Sequence, residues 1–302
     1  MAIQFLTGAD SRMFAQLFIL LQSFEELGAS AAIAVCDFGL SAPQRRFLEE
    51  RRQLAALPQP RGKPLHPWYY KSALIDFLPR DAEVAAWVDA DMVMLADPRP
   101  PVAALVAEMA KDGQTFATCV DDPRREIAQF LEEIERGGRN VRPFRELLAQ
   151  WRIAPRQYPY LNSGFFLVNS RRWLKDWKKT TFEVDEHFLW EQNAFNITAW
   201  RNPAAVRLID PRQWNVHGES LARLTRNGDR LLCEDQAVMV IHATSFGERH
   251  HSVEMTSWSV AGRPQTSRLR LFRDPALRAL QTSLFDRYVL ANEASLVKGL
   301  GG

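Results

Sequence analysis

The sequence predicts an α/β protein built on a mostly parallel sheet with helices on both faces. Three observations carry that expectation. Short apolar runs of strand character alternate with segments of helical period from residue 2 to residue 120. Apolar residues fill 46% of the 302 positions, ample for a large core. No internal repeat, low-complexity tract or obvious linker divides the chain, so one large unit accounts for it as well as two smaller ones.

The elements follow in order. Residues 2–6 form a short apolar strand, and Thr7-Gly8-Ala9-Asp10 turns the chain. Asp10 or Ser11 caps a helix whose apolar positions are Phe14, Leu17, Phe18, Leu21, Phe24 and Leu27, ended by Gly28. Residues 31–36 make the next strand, and 42–54 a charged helix capped by Ser41. Pro58, Pro60, Pro64 and Pro67 allow neither helix nor strand. A helix over 70–78, a strand over 84–88 running into Asp89, a helix over 102–111 and a strand over 115–120 complete the regular half. Residues 124–150 are charged and helical in pattern, interrupted by Gly137-Gly138, as in a lid or an insertion. Strands are expected at 165–168, 206–209 and 238–241, and helices at 171–178 and 186–200. From Pro264 onward the chain is Arg-rich, with helical spacing at Leu277, Leu280, Leu284 and Val289.

Composition excludes several classes. Lys+Arg number 38 against 36 Asp+Glu, a balance that argues against a protein held on nucleic acid by charge. Cys36, Cys119 and Cys233 are odd in number and form no Cys-x-x-Cys pair, which points to a reducing compartment. The N-terminus has no basic segment followed by a long apolar core, and no stretch approaches the roughly 20 apolar residues of a spanning helix. A cytoplasmic protein is expected.

Four constellations carry chemistry. In Trp87-Val88-Asp89-Ala90-Asp91 an apolar strand runs into two carboxylates. At the carboxyl end of a parallel strand such a pair faces the crevice where α/β sheets bind ligands. The two acids repel each other unless a cation lies between them, and a divalent ion there also bridges a diphosphate. Read alone, the pair fits a solvated strand-end turn equally well. Leu161-Asn162-Ser163-Gly164 places small and polar residues directly before a buried run, letting a ligand approach the backbone, or simply entering a strand. Trp190-Glu191-Gln192-Asn193 sets a carboxylate and an amide in a helix whose apolar positions are Phe188, Phe195 and Trp200, which also describes a solvated helix face. Val240-Ile241-His242 ends a strand in a lone imidazole, either structural or a partner for two carboxylates around Mn²⁺.

In this order the four motifs resemble the GT-A nucleotide-sugar glycosyltransferases. The closer likeness is to the retaining family 8, which includes glycogenin and bacterial lipopolysaccharide galactosyltransferases, or to a sister family. The resemblance spans roughly residues 3–244 and implies a GT-A domain over 1–250, followed by a helical C-terminal extension over 251–302. It implies a metal-dependent, hexosyltransferase-like enzyme that moves a sugar from a UDP-linked donor to a hydroxyl on a carbohydrate, lipid-linked or protein acceptor, with retention. It implies Mn²⁺ or Mg²⁺ as cofactor and no nucleic-acid partner. Asp89 and Asp91 match the ligands of metal and donor, Ala90 lies between them, and His242 matches the third metal ligand. Thr7, Gly8, Ala9 and Asp10 match the loop that holds the nucleoside, and Lys71 a basic residue that contacts the donor. Asn162 and Ser163 match positions facing donor sugar and acceptor, and Gln192 the glutamine beside the reacting carbon. Two departures stand out. Glu191 replaces the family's usual Asp, and the closing His-x-x-Gly-x-x-Lys-Pro-Trp segment is missing after His242, which leaves the basic contact to the diphosphate unassigned.

Other readings fit parts of the chain. Asp89-Ala90-Asp91-Met92-Val93 matches the haloacid-dehalogenase-like phosphatase motif, with Asp89 as nucleophile, although that motif normally ends the first strand. A nucleotidyltransferase would carry a Gly-rich basic loop where residues 7–12 hold a single glycine. A non-catalytic nucleotide-sugar binding protein would bind the donor without turnover. In the tail, Arg263, Arg268, Arg270, Arg273 and Arg278 beside Leu269, Leu271, Phe272 and Leu277 suit a helix packed on the core or docked weakly at an anionic membrane surface.

Overall fold

Strand β1 (Ile3–Ala9) and helix α1 (Gln16–Glu26) open the chain, and Gly28, at φ 64°, turns it out of the helix. The computed structural model describes residues 2–55, 66–244 and 249–300. Strand β2 (Ile33–Asp37) leads to α2 (Ala42–Glu50), whose N-terminus is closed by a capping box between Ser41 and Gln44. The helical pattern runs on to residue 54, but Arg52 takes a left-handed φ of 55° and the chain enters the short strand β3 (Leu54–Ala55). Of the proline-rich loop, Pro58, Pro60 and Pro64 lie outside the described residues.

The helix expected over 70–78 is two, α3 (Pro67–Ser72) and α4 (Leu74–Phe77), which meet at Ala73. Strand β4 (Val84–Val88) is buried along its length, and a tight turn leads to β5 (Met92–Met94). Next come α5 (Arg99–Lys111) and β6 (Phe116–Val120). The charged stretch beyond resolves into α6 (Ile127–Arg136) and α7 (Arg142–Gln150), divided at Gly137-Gly138 as the sequence predicts. Strand β7 (Leu161–Val168) starts earlier than expected and takes in Asn162 and Ser163. After α8 (Arg171–Phe182), a left-handed Leu189 (φ 54°) delays α9 (Trp190–Trp200) beyond its patterned start. Then follow β8 (Val206–Ile209), α10 (Pro211–Trp214), β9 (Leu224–Asn227), β10 (Arg230–Cys233), β11 (Gln236–Ala237) and β12 (Val240–His242).

The largest correction concerns the region beyond residue 250. Residues 251–272 are not helical but form a hairpin of β13 (His251–Val260) and β14 (Arg263–Phe272). The connection Ala261-Gly262 has φ of 49° and 76°, the two positive values that a tight two-residue hairpin turn requires. Burial alternates from Ser252 to Val260 of β13, the period of a strand, and the Arg-rich composition obscured it. Among the described residues beyond 250, α11 (Pro275–Ala291), capped by Asp274, and α12 (Glu293–Leu300) are helical.

The chain forms two compact units and passes between them several times, once inside β4. In the first, β3, β2 and β1 lie side by side in parallel, with Gly8 opposite Cys36. Here β5 pairs antiparallel with β12, and β9, β10 and β11 form a small antiparallel sheet. Phe18 of α1 is the hub of this core: its ring lies 4.8 Å from Tyr288 and 5.7 Å from Phe285, both on α11, and 5.6 Å from Trp258. Helix α12 is tied to α2 by the Lys298–Glu50 ion pair. In the second unit β6 runs antiparallel to β7 and parallel to β8. Its core is aromatic, with Phe116 stacked on Trp173 at 4.3 Å and Phe195 edge-on to both Phe116 and Trp177. Cys36, Cys119 and Cys233 are buried and form no disulfide, and among the described residues no helix is long and apolar enough to cross a membrane.

Phe18→Ala should lower unfolding free energy by about 3–5 kcal/mol in urea denaturation, the usual cost of emptying an aromatic core site. A loss below about 1 kcal/mol would show that α11 does not depend on this contact.

Candidate active site

Strand β4 is apolar throughout, so its end delivers Asp89 at the point where the chain leaves the core. The turn is closed by Met92 N donating to Asp89 O at 3.1 Å, and β5 then pairs with β12 with Met92 opposite His242. That register sets His242 Nε2 3.1 Å from Asp91 Oδ1 and 3.9 Å from Asp89 Oδ2. One ligand atom from each of the three residues lies within 4.8 Å of the other two. The backbone is fixed at both ends of this contact, because Ala243 N donates to Asp91 O and His242 N to Val216 O.

Each member is further positioned. Trp87 Nε1 donates to Asp89 Oδ1 at 2.7 Å. His242 Nδ1 meets Asn215 Oδ1 at 2.8 Å, which makes Nδ1 a donor and turns Nε2 toward the carboxylates. Asp91 is 4% exposed, and its second oxygen, Oδ2, accepts from Arg270 Nη1 of β14. Burial pushes the Asp91 carboxyl up, but the charges of His242 and Arg270 and their hydrogen bonds outweigh it and hold the group well below the usual carboxylate range. Two carboxylates and an imidazole form a mixed oxygen and nitrogen set that suits Mn²⁺ or Mg²⁺. Ala90, between the acids, is buried.

The same unit carries the end of β1, where the turn expected over Thr7–Asp10 is strand through Ala9, paired with β2, and only Asp10 lies beyond it. Gly8 is required by space: a Cβ there would come within 2.3 Å of the Phe38 ring, which stacks on Trp87. Asp10 accepts at Oδ1 from the backbone of Arg12 and Met13 and pairs with the Arg12 guanidinium. Thr7 and Ala9 are buried, and Thr7 Oγ1 has no hydrogen-bond partner among the described residues.

In the other unit the remaining candidates converge on one network. Lys71 Nζ donates to Ser163 Oγ at 3.0 Å and lies 3.9 Å from Glu191 Oε1, with both charged groups buried. Ser163 donates from N at 3.2 Å and from Oγ at 3.0 Å to Gln192 Oε1. Asn162 Oδ1 accepts from Gly164 N, and its Nδ2 donates to Asp121 Oδ1 at 2.8 Å. Asn196 clamps Leu161 through both N and O, fixing α9 on β7 so that Gln192 reaches Ser163. The motifs at 161–164 and 190–193 are thus one constellation.

Sequence reading missed Asp121, Asn215 and Arg270. Asp121 has the same signal as Asp89, an apolar strand followed by an acid. Asn215 has none. Arg270 was read as part of a helix, and only the hairpin places it beside Asp91.

No protein-family model matches the sequence, and no curated protein matches it. Solved structures do. The galactosyltransferase LgtC in complex with donor and acceptor sugar analogues is similar at a TM-score of 0.52 and 16% identity, over 94% of this chain and 95% of that one. The bifunctional glycosyltransferase WbbM, in its apo form, is similar at 0.51 and 11%, over 82% of this chain and 46% of that one. The chain has the GT-A fold of these glycosyltransferases, as the sequence predicts.

Asn215→Ala removes the group that orients His242 without touching either carboxylate. It should weaken Mn²⁺ binding about 10–100-fold, read by titration of the free ion. Unchanged affinity would mean that the Asn215 hydrogen bond does not orient His242 for the metal.

Proposed function

We propose that the chain is a metal-dependent glycosyltransferase that takes a sugar from a UDP-linked donor and passes it to an acceptor hydroxyl. The observation that carries this reading is the convergence of Asp89, Asp91 and His242 within 4.8 Å on a GT-A fold. LgtC, which has that fold, is a galactosyltransferase with bound donor and acceptor analogues.

The chain's residues then take distinct roles. Asp89, Asp91 and His242 hold the divalent ion, which when bound supplies Lewis-acid neutralisation of the leaving diphosphate. Thr7, Gly8 and Ala9 at the end of β1, with Asp10 just beyond it, hold the nucleoside, and Lys71 contacts the donor. Asn162 and Ser163 bind hydroxyls of donor sugar and acceptor. Gln192 Oε1, held by two donors from Ser163, presents a preorganised dipole to the anomeric carbon as it becomes oxocarbenium-like. Glu191, buried beside Lys71, adds negative charge at the same network. The C1–O bond to the diphosphate breaks, the acceptor hydroxyl attacks the anomeric carbon on the face the diphosphate leaves and gives its proton to the departing β-phosphate, and the product keeps its configuration. The phosphatase reading places its nucleophile after the first strand, whereas here β1, β2 and β3 all precede Asp89.

Calorimetry with UDP and Mn²⁺ tests the assignment. Metal-dependent binding of UDP, with release of UDP from a UDP-sugar, is the expected result. Silence with UDP, GDP and CDP, with or without metal, would overturn it, and UDP binding with no turnover of any UDP-sugar would identify a binding module. Two variants probe the roles. Asp91→Asn should abolish turnover while circular dichroism stays that of the wild type. Gln192→Ala should lower kcat about 10²–10³-fold with the KM for donor little changed, the signature of a group that acts in the transition state. A rise in KM alone would assign Gln192 to binding.

A further inference from the structure

The Asp91–Arg270 contact has consequences for how the site is loaded. Both Asp91 oxygens are engaged, Oδ1 with His242 and Oδ2 with Arg270. His242 belongs to the ligand set, whereas the guanidinium is a cation of the chain's own placed on a ligand of the metal. A divalent ion held by Asp91 repels a guanidinium on the same carboxylate. That repulsion weakens the hold of Asp91 on Arg270 and favours a second anion for the guanidinium.

The structure shows which part of Arg270 is free to move. Its backbone is pinned on both sides, with N donating to Gln16 Oε1 of α1 at 2.7 Å and O accepting from Gln281 Nε2 of α11 at 3.1 Å. The side chain is 27% exposed, against 6% for that of Asp91. Its solvent side is thus open to a ligand that reaches the carboxylates from outside. A guanidinium fork is suited to carboxylate and phosphate alike, so it can exchange one for the other.

Resting on the glycosyltransferase reading, we infer that Arg270 is a built-in counter-ion, neutralising Asp91 when the metal is absent and transferring to the donor diphosphate when it is bound. It takes the basic contact that the sequence after His242 leaves unassigned. The hairpin β13–β14 is what delivers it.

The test measures two affinities in the full-length protein by calorimetry, Mn²⁺ alone and UDP at saturating Mn²⁺, with UMP as control. Arg270→Gln removes a competitor for the metal and a partner for the β-phosphate. Mn²⁺ alone should bind about tenfold tighter, UDP about tenfold weaker, and UMP as in the wild type. Arg270→Lys, which keeps the charge but loses the fork, should shift both affinities in the same senses by less, and it gives the same readout if the glutamine variant does not fold. Unchanged UDP affinity, or weakening of both ligands together, would overturn the inference while leaving the enzyme assignment standing. A wild-type protein that does not bind UDP would overturn the assignment itself.

Discussion

Charge balance at Asp91 is the constraint on which the site depends. A carboxylate 4% exposed, with a second carboxylate two residues away, is costly to bury unless positive charge lies against it. The chain meets that need with Arg270 on Oδ2, while the His242 imidazole lies 3.1 Å from Oδ1. Both partners come from far along the sequence, so the local Asp-x-Asp becomes a site only when the long-range pairings are made. A cation is then part of the fold, whether the protein supplies it or the solution does.

Those pairings are specified by ordinary rules of sheets. The antiparallel register of β5 with β12 brings His242 to Asp91, and a slip of one residue would turn the imidazole to the opposite face. The positive φ angles at Ala261-Gly262 set the register of β13 and β14 and so the position of Arg270. Behind them, the Phe18 cluster holds α11 on α1, and both helices contribute a glutamine to the Arg270 backbone. Packing in this core and chemistry at its surface are linked through two amide side chains.

Much of this was legible before the structure. The alternation of apolar runs and helical periods gave the α/β fold, and the order of four weak motifs pointed to GT-A. The residues at 162–163 and 191–192 were singled out separately, and Ser163 and Gln192 prove to be hydrogen-bonded to each other. The hairpin was not legible, because frequent Arg and scattered Leu mimic an amphipathic helix when the turn signal is only Ala-Gly. Helix ends were misplaced where one residue takes a left-handed conformation, at Arg52 and Leu189, since neither residue type announces it. Asn215 carries no signal in a single sequence, because its role exists only through His242.

The most direct measurement is a crystal structure of the protein with UDP and Mn²⁺, with anomalous scattering recorded at the manganese edge. The account predicts one anomalous peak within coordination distance of Asp89, Asp91 and His242, and an Arg270 guanidinium that has left Asp91 for a phosphate oxygen. A peak bound elsewhere, or UDP bound with no peak among these three residues, would contradict it.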